Sequence, residues 1–423
     1  MSPQIVVDKC QPSDVTLNLA HLKNRKPRIS KTTKDNTFSI SCWLQDSETS
    51  VDLKEDLTIV LQKIESELNG LNFSWENVVY IHLYISDMNM FAIANETYVN
   101  FITQEKCRFG VPSRSTIELP LISSWAPSCI GPYSQATLHK EILHMAGQLG
   151  FDPPTMSLCS GGPTAELQQA LVNSEAIANA FNSSITSSAI LFVIYCSKST
   201  SKSDRISLQE KQKSFFNQTK RVLNPVFLYV LVPDLPKRAF VEVKPMLFVE
   251  DDSGVTEEDD DMLELDKMNE NQFDSCFQQE KWHDECVHKC LVHGRICAVV
   301  LSITTEISDK ICFNADYLPI TTEDKMGKVA KFCIYRLDKV LSQNHYSWDD
   351  VTNLRIYFPT SSNISHETLS LIFKTRFDEF AETTKRFKTC DEPIFNLVPV
   401  IGAGSCATSM DDIITCELLA RRS

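Results

Sequence analysis

The chain has 423 residues, room for about three domains at roughly 150 residues each. Hydrophobic residues make up 43% and charged residues 23%, an ordinary globular composition that excludes wholesale disorder and fibrous classes. The formal net charge is −14, but ten acids fall between Glu250 and Asp266 with no Lys or Arg among them, leaving 45 acids against 41 bases elsewhere. That near-neutral remainder argues against broad nucleic-acid binding.

Taken from the N-terminus, the start MSPQIVVDKC lacks a basic region followed by a long apolar stretch, so no signal peptide is expected. The 15 cysteines follow no regular framework and read as reduced thiols, which points to a cytoplasmic or nuclear compartment. Apolar runs such as Ala189–Cys196 are far shorter than the roughly 20 residues of a spanning helix, so no membrane segment is expected. The basic stretch Lys23–Lys34 reads as a solvated leading segment, with a nuclear signal or phosphate-binding arm as the alternatives.

Internal repetition then organises the chain. SWENVVYIHLYIS at 74–86 and SWDDVTNLRIYFP at 347–359 share Ser-Trp, an acid, Val and Tyr at a constant offset of 273. A third copy, AILFVIYCS at 189–197, keeps one tyrosine in register, giving Tyr84, Tyr195 and Tyr357. Each copy follows a helical pattern. Leu53, Leu57, Val60, Leu61, Ile64 and Leu68 line one face, and Ala330, Cys333, Ile334, Leu337 and Leu341 repeat that face at the same offset. Pro163 starts the middle helix. Second helices around Phe91–Phe101 and Leu369–Phe377 lead to closing strands past Pro112 and Pro393.

Short strands, helix, strand, helix and strand per unit predict an α+β fold, a mixed sheet with two helices on one face. The expected division is a leading segment at 1–34, unit 1 at 35–122, unit 2 at 124–249, an acidic linker at 250–282, a degenerate unit 3 at 283–405 and a tail at 406–423. The acidic stretch is expected to stay solvated as a tether, a docking strip for a basic partner being the alternative.

At this point the residues resemble a family. APSCIGPYSQA at 126–136, HMAGQLGFDP at 144–153, LPKRAFVEV at 235–243 and PSRSTIEL at 112–119 resemble the opening, second-strand and closing motifs of RidA/YjgF imine deaminases. The joined units resemble the C-terminal half of long-form eukaryotic diphthine–ammonia ligases. The resemblance implies a chorismate-mutase-like fold, three units packed as an intramolecular pseudo-trimer, and ligand sites between units. It further implies Arg114 as the grip for the carboxylate of a 2-imino acid, Tyr133 as a phenol donor, and Glu242 as the acid that orients water or returns a proton. Elongation factor 2 is the partner implied by the ligase family, and ATP the cofactor implied for its full-length members, with the ATP domain possible on another chain.

Departures from those patterns shape the expectation. Unit 2 carries Pro225-Val226-Phe227 where its own arginine belongs, and Lys244 stands at the acidic position after Glu242. Ser160-Gly161-Gly162 continues into Pro163-Thr164-Ala165 without the lysine and aspartate of a nucleotide loop, so no cofactor is expected in this chain. His283, Cys286, His288, Cys290, His293 and Cys297 are dense in metal-ligand types but lack paired Cys-x2-Cys spacing; buried thiols are expected there rather than zinc. The leading functional expectation is an accessory, substrate-docking region of a diphthine–ammonia ligase. An imine deaminase with a composite site between units 1 and 2 is the alternative.

Overall fold

The computed structural model describes residues 27–34, 37–44, 52–103, 115–117, 124–131, 134–217, 223–250, 282–292, 294–312, 321–384, 395–408, 410 and 413–422. All but the end residues of the acidic linker lie outside that set.

Unit 1 opens with an antiparallel hairpin, β1 (Pro27–Lys34) on β2 (Thr37–Leu44), with Lys34 opposite Thr37. The leading segment is thus not all solvated coil: Pro27–Lys34 of its basic stretch is a strand. Lysines suit a sheet edge, where they discourage pairing with other chains, so charge density alone does not exclude a strand. Helix α1 (Leu53–Gly70) begins where the Asp52 carboxylate accepts from the Lys54 amide, and it buries Leu57, Leu61 and Leu68 against α2 (Phe91–Phe101). The segment expected as a strand at 78–86 has no ladder pairing among the described residues.

The repeated Ser-Trp motif has a structural explanation. The Trp75 indole donates to Glu65 at 2.8 Å, and Trp348 donates to Asp338 at 3.2 Å. In both copies the acid lies ten residues upstream on the preceding helix, and the indole is buried. Capping boxes of Ser74 with Asn77 and Ser347 with Asp350 fix the turn that presents each ring.

Unit 2 is built on a sheet that draws strands from all three units. Strand β3 (Ser115–Ile117) comes from unit 1 and pairs antiparallel with β4 (Ala136–His139), which continues through β5 (Ile142–Met145) and the short β6 (Gln148–Leu149). A small ribbon of β7 (Phe151–Asp152) and β8 (Ser157–Leu158) precedes α3 (Pro163–Asn179). The one-turn α4 (Ile185–Ser188) leads to β9 (Ala189–Ser197), buried along its full length. Then follow α5 (Lys202–Phe216), capped by Ser201 and Asp204, β10 (Val226–Val232) parallel to β9, and β11 (Val241–Phe248) antiparallel to it.

Unit 3 repeats that plan. After α6 (Trp282–Glu285) come β12 (Val287–Val292) and β13 (Ile296–Ile303), then α7 (Thr305–Cys312), α8 (Thr322–Gln343), β14 (Val351–Pro359), α9 (His366–Thr384) and β15 (Asn396–Val400). Strand β16 (Gly402–Gly404) leaves the unit to pair with β10 of unit 2, and β17 (Ile414–Arg421) returns between β13 and β14. The order β12-β13-β17-β14-β15 matches β4-β5-β11-β9-β10 strand for strand. Residues 406–423 are therefore not a tail. An apolar strand, ITCELLAR, has both ladder sides satisfied at the centre of the third sheet, and unit 3 ends there rather than at 405.

Alternate residues divide two apolar layers. In β9, Phe192, Ile194 and Cys196 face α3 and α5, joined by Val241, Val243 and Leu247 of β11. Leu191, Val193 and Tyr195 face inward, where they share a second layer with Ala298, Val300, Tyr357 and Leu419 of unit 3. Unit 1 reaches unit 3 through Ser39, whose hydroxyl donates to the Thr352 carbonyl at 2.9 Å, and through Trp43 against His366. It reaches unit 2 through Tyr80, stacked on His144. The three units thus contact one another pairwise around their inner sheet faces. Among the described residues no helix is long and apolar enough to cross a membrane.

Candidate active site

Glu242 stands on the inner face of β11, opposite Leu149, and packs directly on Gly147. A Cβ on Gly147 would meet the Glu242 carboxyl at 1.7 Å, so any side chain there would push the carboxyl out of this position. Gly150 is held just as closely, since a Cβ there would lie 2.6 Å from the Glu166 backbone on α3. Glu166 in turn accepts from the Phe240 amide at 2.7 Å and fixes the start of β11. The GQLG spacing is thus explained by two close approaches, one to the candidate acid and one to the helix that positions its strand. Burial pushes the Glu242 carboxyl up to about 7, against the opposite pull of Lys244.

The GPYSQA loop is tied to the same place by amides. Gln148 donates to Gln135 at 2.7 Å, and Gln135 donates to the Pro127 carbonyl at 2.5 Å. Arg114 and Tyr133 lie outside the described residues. The ladder between them is described, with Ser115 opposite Leu138 and Ile117 opposite Ala136, so unit 1's closing strand does lie against unit 2's opening strand.

A second group of polar side chains gathers where the three units meet. The tyrosines that recur in register converge: the hydroxyls of Tyr195 and Tyr357 approach that of Tyr84. Tyr84 keeps 44% of its surface accessible, but the protein packed around it lifts the phenol to about 12, against the pull of Arg355. Tyr357 donates to Glu417 Oε2 at 2.7 Å, and Arg355 pairs with Glu417 Oε1. Burial opposes the charge of Arg355, but Glu417 and the tyrosines keep the guanidinium protonated.

Lys244 enters from unit 2. Its ammonium lies 3.2 Å from His82 Nδ1 and 4.6 Å over the Tyr80 ring, both from unit 1. The Tyr84 hydroxyl also lies 3.2 Å from that nitrogen. Two donors on one ring nitrogen fit a neutral imidazole protonated at Nε2, and burial, with Lys244 and Arg355 nearby, holds His82 well below the usual histidine range. Burial, reinforced by Arg355, lowers Lys244 to about 7, and burial lowers His144 to about 3.

Spacing along the chain did not reveal Lys244, Arg355, Glu417 and His82 as a group. The signal available was charge inside three apolar strands, Glu242 and Lys244 in VEVKPML, Arg355 in NLRIYF and Glu417 in ITCELLA. The cysteine-rich segment distributes its thiols between opposite layers, Cys286 and Cys297 in the helix-side layer and Cys290 in the inner one. Among the described residues no three His, Cys, Asp or Glu side chains group as a metal site. The Ser160–Gly162 turn has positive φ at both glycines and leads into α3, with the Gly162 carbonyl accepting from Ala165 and Glu166; it carries no lysine.

The Endoribonuclease L-PSP family model matches residues 43–125 and 123–248. A RutC family protein of Pyrococcus horikoshii is 30% identical over 125 residues, which cover 93% of its length. The chain belongs to this RidA/L-PSP family. Its other relatives include the human 2-iminobutanoate/2-iminopropanoate deaminase, 44% identical over 59 residues, and the Schizosaccharomyces pombe diphthine–ammonia ligase, 27% identical over 210 residues. The chain spans 43% of the length of the former and 33% of the latter, and these matches take in 14% and 42% of the chain. The solved RidA of a Psychrobacter species is 31% identical, covering 30% of this chain and 96% of that one at a TM-score of 0.27. The same strand position is Lys244 in unit 2 and Glu417 in unit 3, so the Lys244–Arg355 group is not repeated between the units.

Proposed function

We propose that this chain is an accessory, substrate-docking region of the diphthine–ammonia ligase type, acting in diphthamide formation on elongation factor 2 beside an ATP-binding domain carried elsewhere. The observation that carries this reading is the similarity over 210 residues to the Schizosaccharomyces pombe ligase, which is much longer than the 59-residue stretch shared with the human deaminase. ATP enters as the reagent of that other domain, since the Ser160–Gly162 turn continues into Pro163-Thr164-Ala165 without the lysine and aspartate of a nucleotide loop. The role of this chain is to hold protein substrate and ligase domain together, which raises their effective concentration. Tagged chain should co-purify with elongation factor 2 or with a separate ATP domain, and should accelerate amide formation when mixed with both. Absence of both partners from the purified material, together with no effect on the rate, would end this reading.

The second reading is an imine deaminase, and Glu242 favours it. A carboxyl poised near neutrality can donate a proton to a leaving amine and take one from attacking water. Hydrolysis of a freshly generated 2-imino acid should fall by about a hundredfold or more in Glu242→Gln and in Arg114→Ala. Rates equal to wild type in both variants would remove the deaminase reading.

A further inference from the structure

Units 2 and 3 each end on a central strand that unit 1 does not carry in the same place. β11 enters between β5 and β9, and β17 between β13 and β14. In unit 1 only the eight residues 118–125 separate β3 from Ala126, which is already buried in the unit 2 core, whereas β11 and β17 take eight residues each before any turn is added. The consequence is visible at the offset of 273. Leu354 and Ile356 of β14 stand opposite Leu418 and Cys416 of β17 and are 2% and 0% exposed. Their unit 1 counterparts, Ile81 and Leu83, are 38% and 43% exposed. Ile40 of β2 packs on the same helix-side cluster as Ile85, yet among the described residues β2 pairs with β1 alone and 80–85 joins no ladder.

One stretch ahead of β1 has the sequence pattern of that strand. Val15-Thr16-Leu17-Asn18-Leu19-Ala20 follows Ile414-Thr415-Cys416-Glu417-Leu418-Leu419 of β17 position by position, with Val15, Leu17 and Leu19 where β17 turns Ile414, Cys416 and Leu418 to its helices. The one change of charge, Asn18 for Glu417, suits its setting. Glu417 stands opposite Arg355, whose unit 1 counterpart is His82, and burial keeps that imidazole neutral. We propose that residues 15–20 add to unit 1 as its central strand, between β2 and the 78–86 segment, so that unit 1 is a permuted copy that receives at its front the strand units 2 and 3 carry at their end. Leu19 then stands opposite Ile81 and Leu17 opposite Leu83, which covers the two exposed side chains. The seven steps from Ala20 to Pro27 span up to about 24 Å. That is enough to cross the roughly 10 Å over β2 and to run back along most of β1. The placement rests on neither functional reading above.

Amide hydrogen exchange on the full, unsubstituted chain tests this without any variant. Residues 15–20 and 80–85 should both exchange about a hundredfold or more slower than free peptides of the same sequence. Register is tested by cysteine pairs in a Cys42→Ser background, oxidised with glutathione disulfide and read by peptide mapping. Leu19→Cys with Ile81→Cys should cross-link within one chain, because residues opposite each other on antiparallel strands stand within disulfide reach. Ala20→Cys with Ile81→Cys, whose side chains leave opposite faces, should not. The proposal is overturned by exchange at 15–20 as fast as in the free peptide, by no cross-link in the first pair, or by equal cross-linking in both. A cross-link joining two chains overturns it as well, since the occupant would then be a second copy.

Discussion

Units 2 and 3 share a strand order but treat the inner face of their central strands in opposite ways. In unit 3, Arg355 faces Glu417 across the β14–β17 ladder, and Tyr357 completes the carboxylate's coordination. In unit 2 the equivalent ladder sets Lys244 opposite Val193 and Glu242 opposite Tyr195. One network is closed within its own sheet; the other leaves its charges to be met from outside. The apolar register that builds each sheet repeats while the few polar positions differ, so unit 3 is locked and unit 2 is left able to respond to a proton.

The sharpest way to break this comparison is to open the closed network. Arg355→Met strands the fully buried Glu417 carboxylate, and should lower stability by about 3–5 kcal/mol in denaturant titrations. Adding Glu417→Leu should recover most of that loss. If the single variant is as stable as wild type, the unit 3 network is not closed in the sense described.

Unit 2 should respond to pH instead. Lys244 holds its proton less firmly folded, at about 7, than unfolded, at 10.5. Its burial penalty is thus complete below pH 7 and is relieved as pH rises towards 10.5. Lys244→Met should raise the melting temperature most below pH 7, by several degrees, and hardly at all near pH 10. Glu242 has the opposite slope, because its carboxyl is raised from 4.5 to about 7. Its penalty grows as pH rises between those values, so Glu242→Gln should stabilise above pH 7 and have little effect below pH 4.5. Parallel melting curves for both variants between pH 4 and 10 check the crossing slopes.

The smallest effect belongs at the rim. Arg295 of unit 3 pairs with Glu141 of unit 2 at 2.7 Å, but the arginine is 44% exposed. Arg295→Ala should cost less than about 1 kcal/mol, and less still in high salt.

Much of this architecture was legible in periodicity. The helix at 53–68 and its copy 273 residues on, the buried strand at 189–197 and the recurring tyrosine all follow from spacing, because a packed face must repeat. Strand β1 was hidden by its lysines, and β17 by its position after an apparent end of the repeat. At the site, Glu242 was legible through its motif, and the structure adds why Gly147 accompanies it. Lys244, Arg355 and His82 were not, since they come from three units and meet only when the inner faces close; sequence spacing carries no trace of that encounter.

The exchange of strands has one more consequence. Unit 2's sheet ends on β3 from unit 1 at one side and on β16 from unit 3 at the other. Gly402 at the start of β16 lies so close to Met410 that a Cβ would sit 2.0 Å from its carbonyl oxygen, which fixes the crossing chain in place. Unit 2 excised at its sequence boundaries would bare hydrogen-bonding edges on both flanks and invite association with like fragments. The chain is thus threefold in its pattern but indivisible in its folding, and recombinant dissection should follow the ladders rather than the repeats.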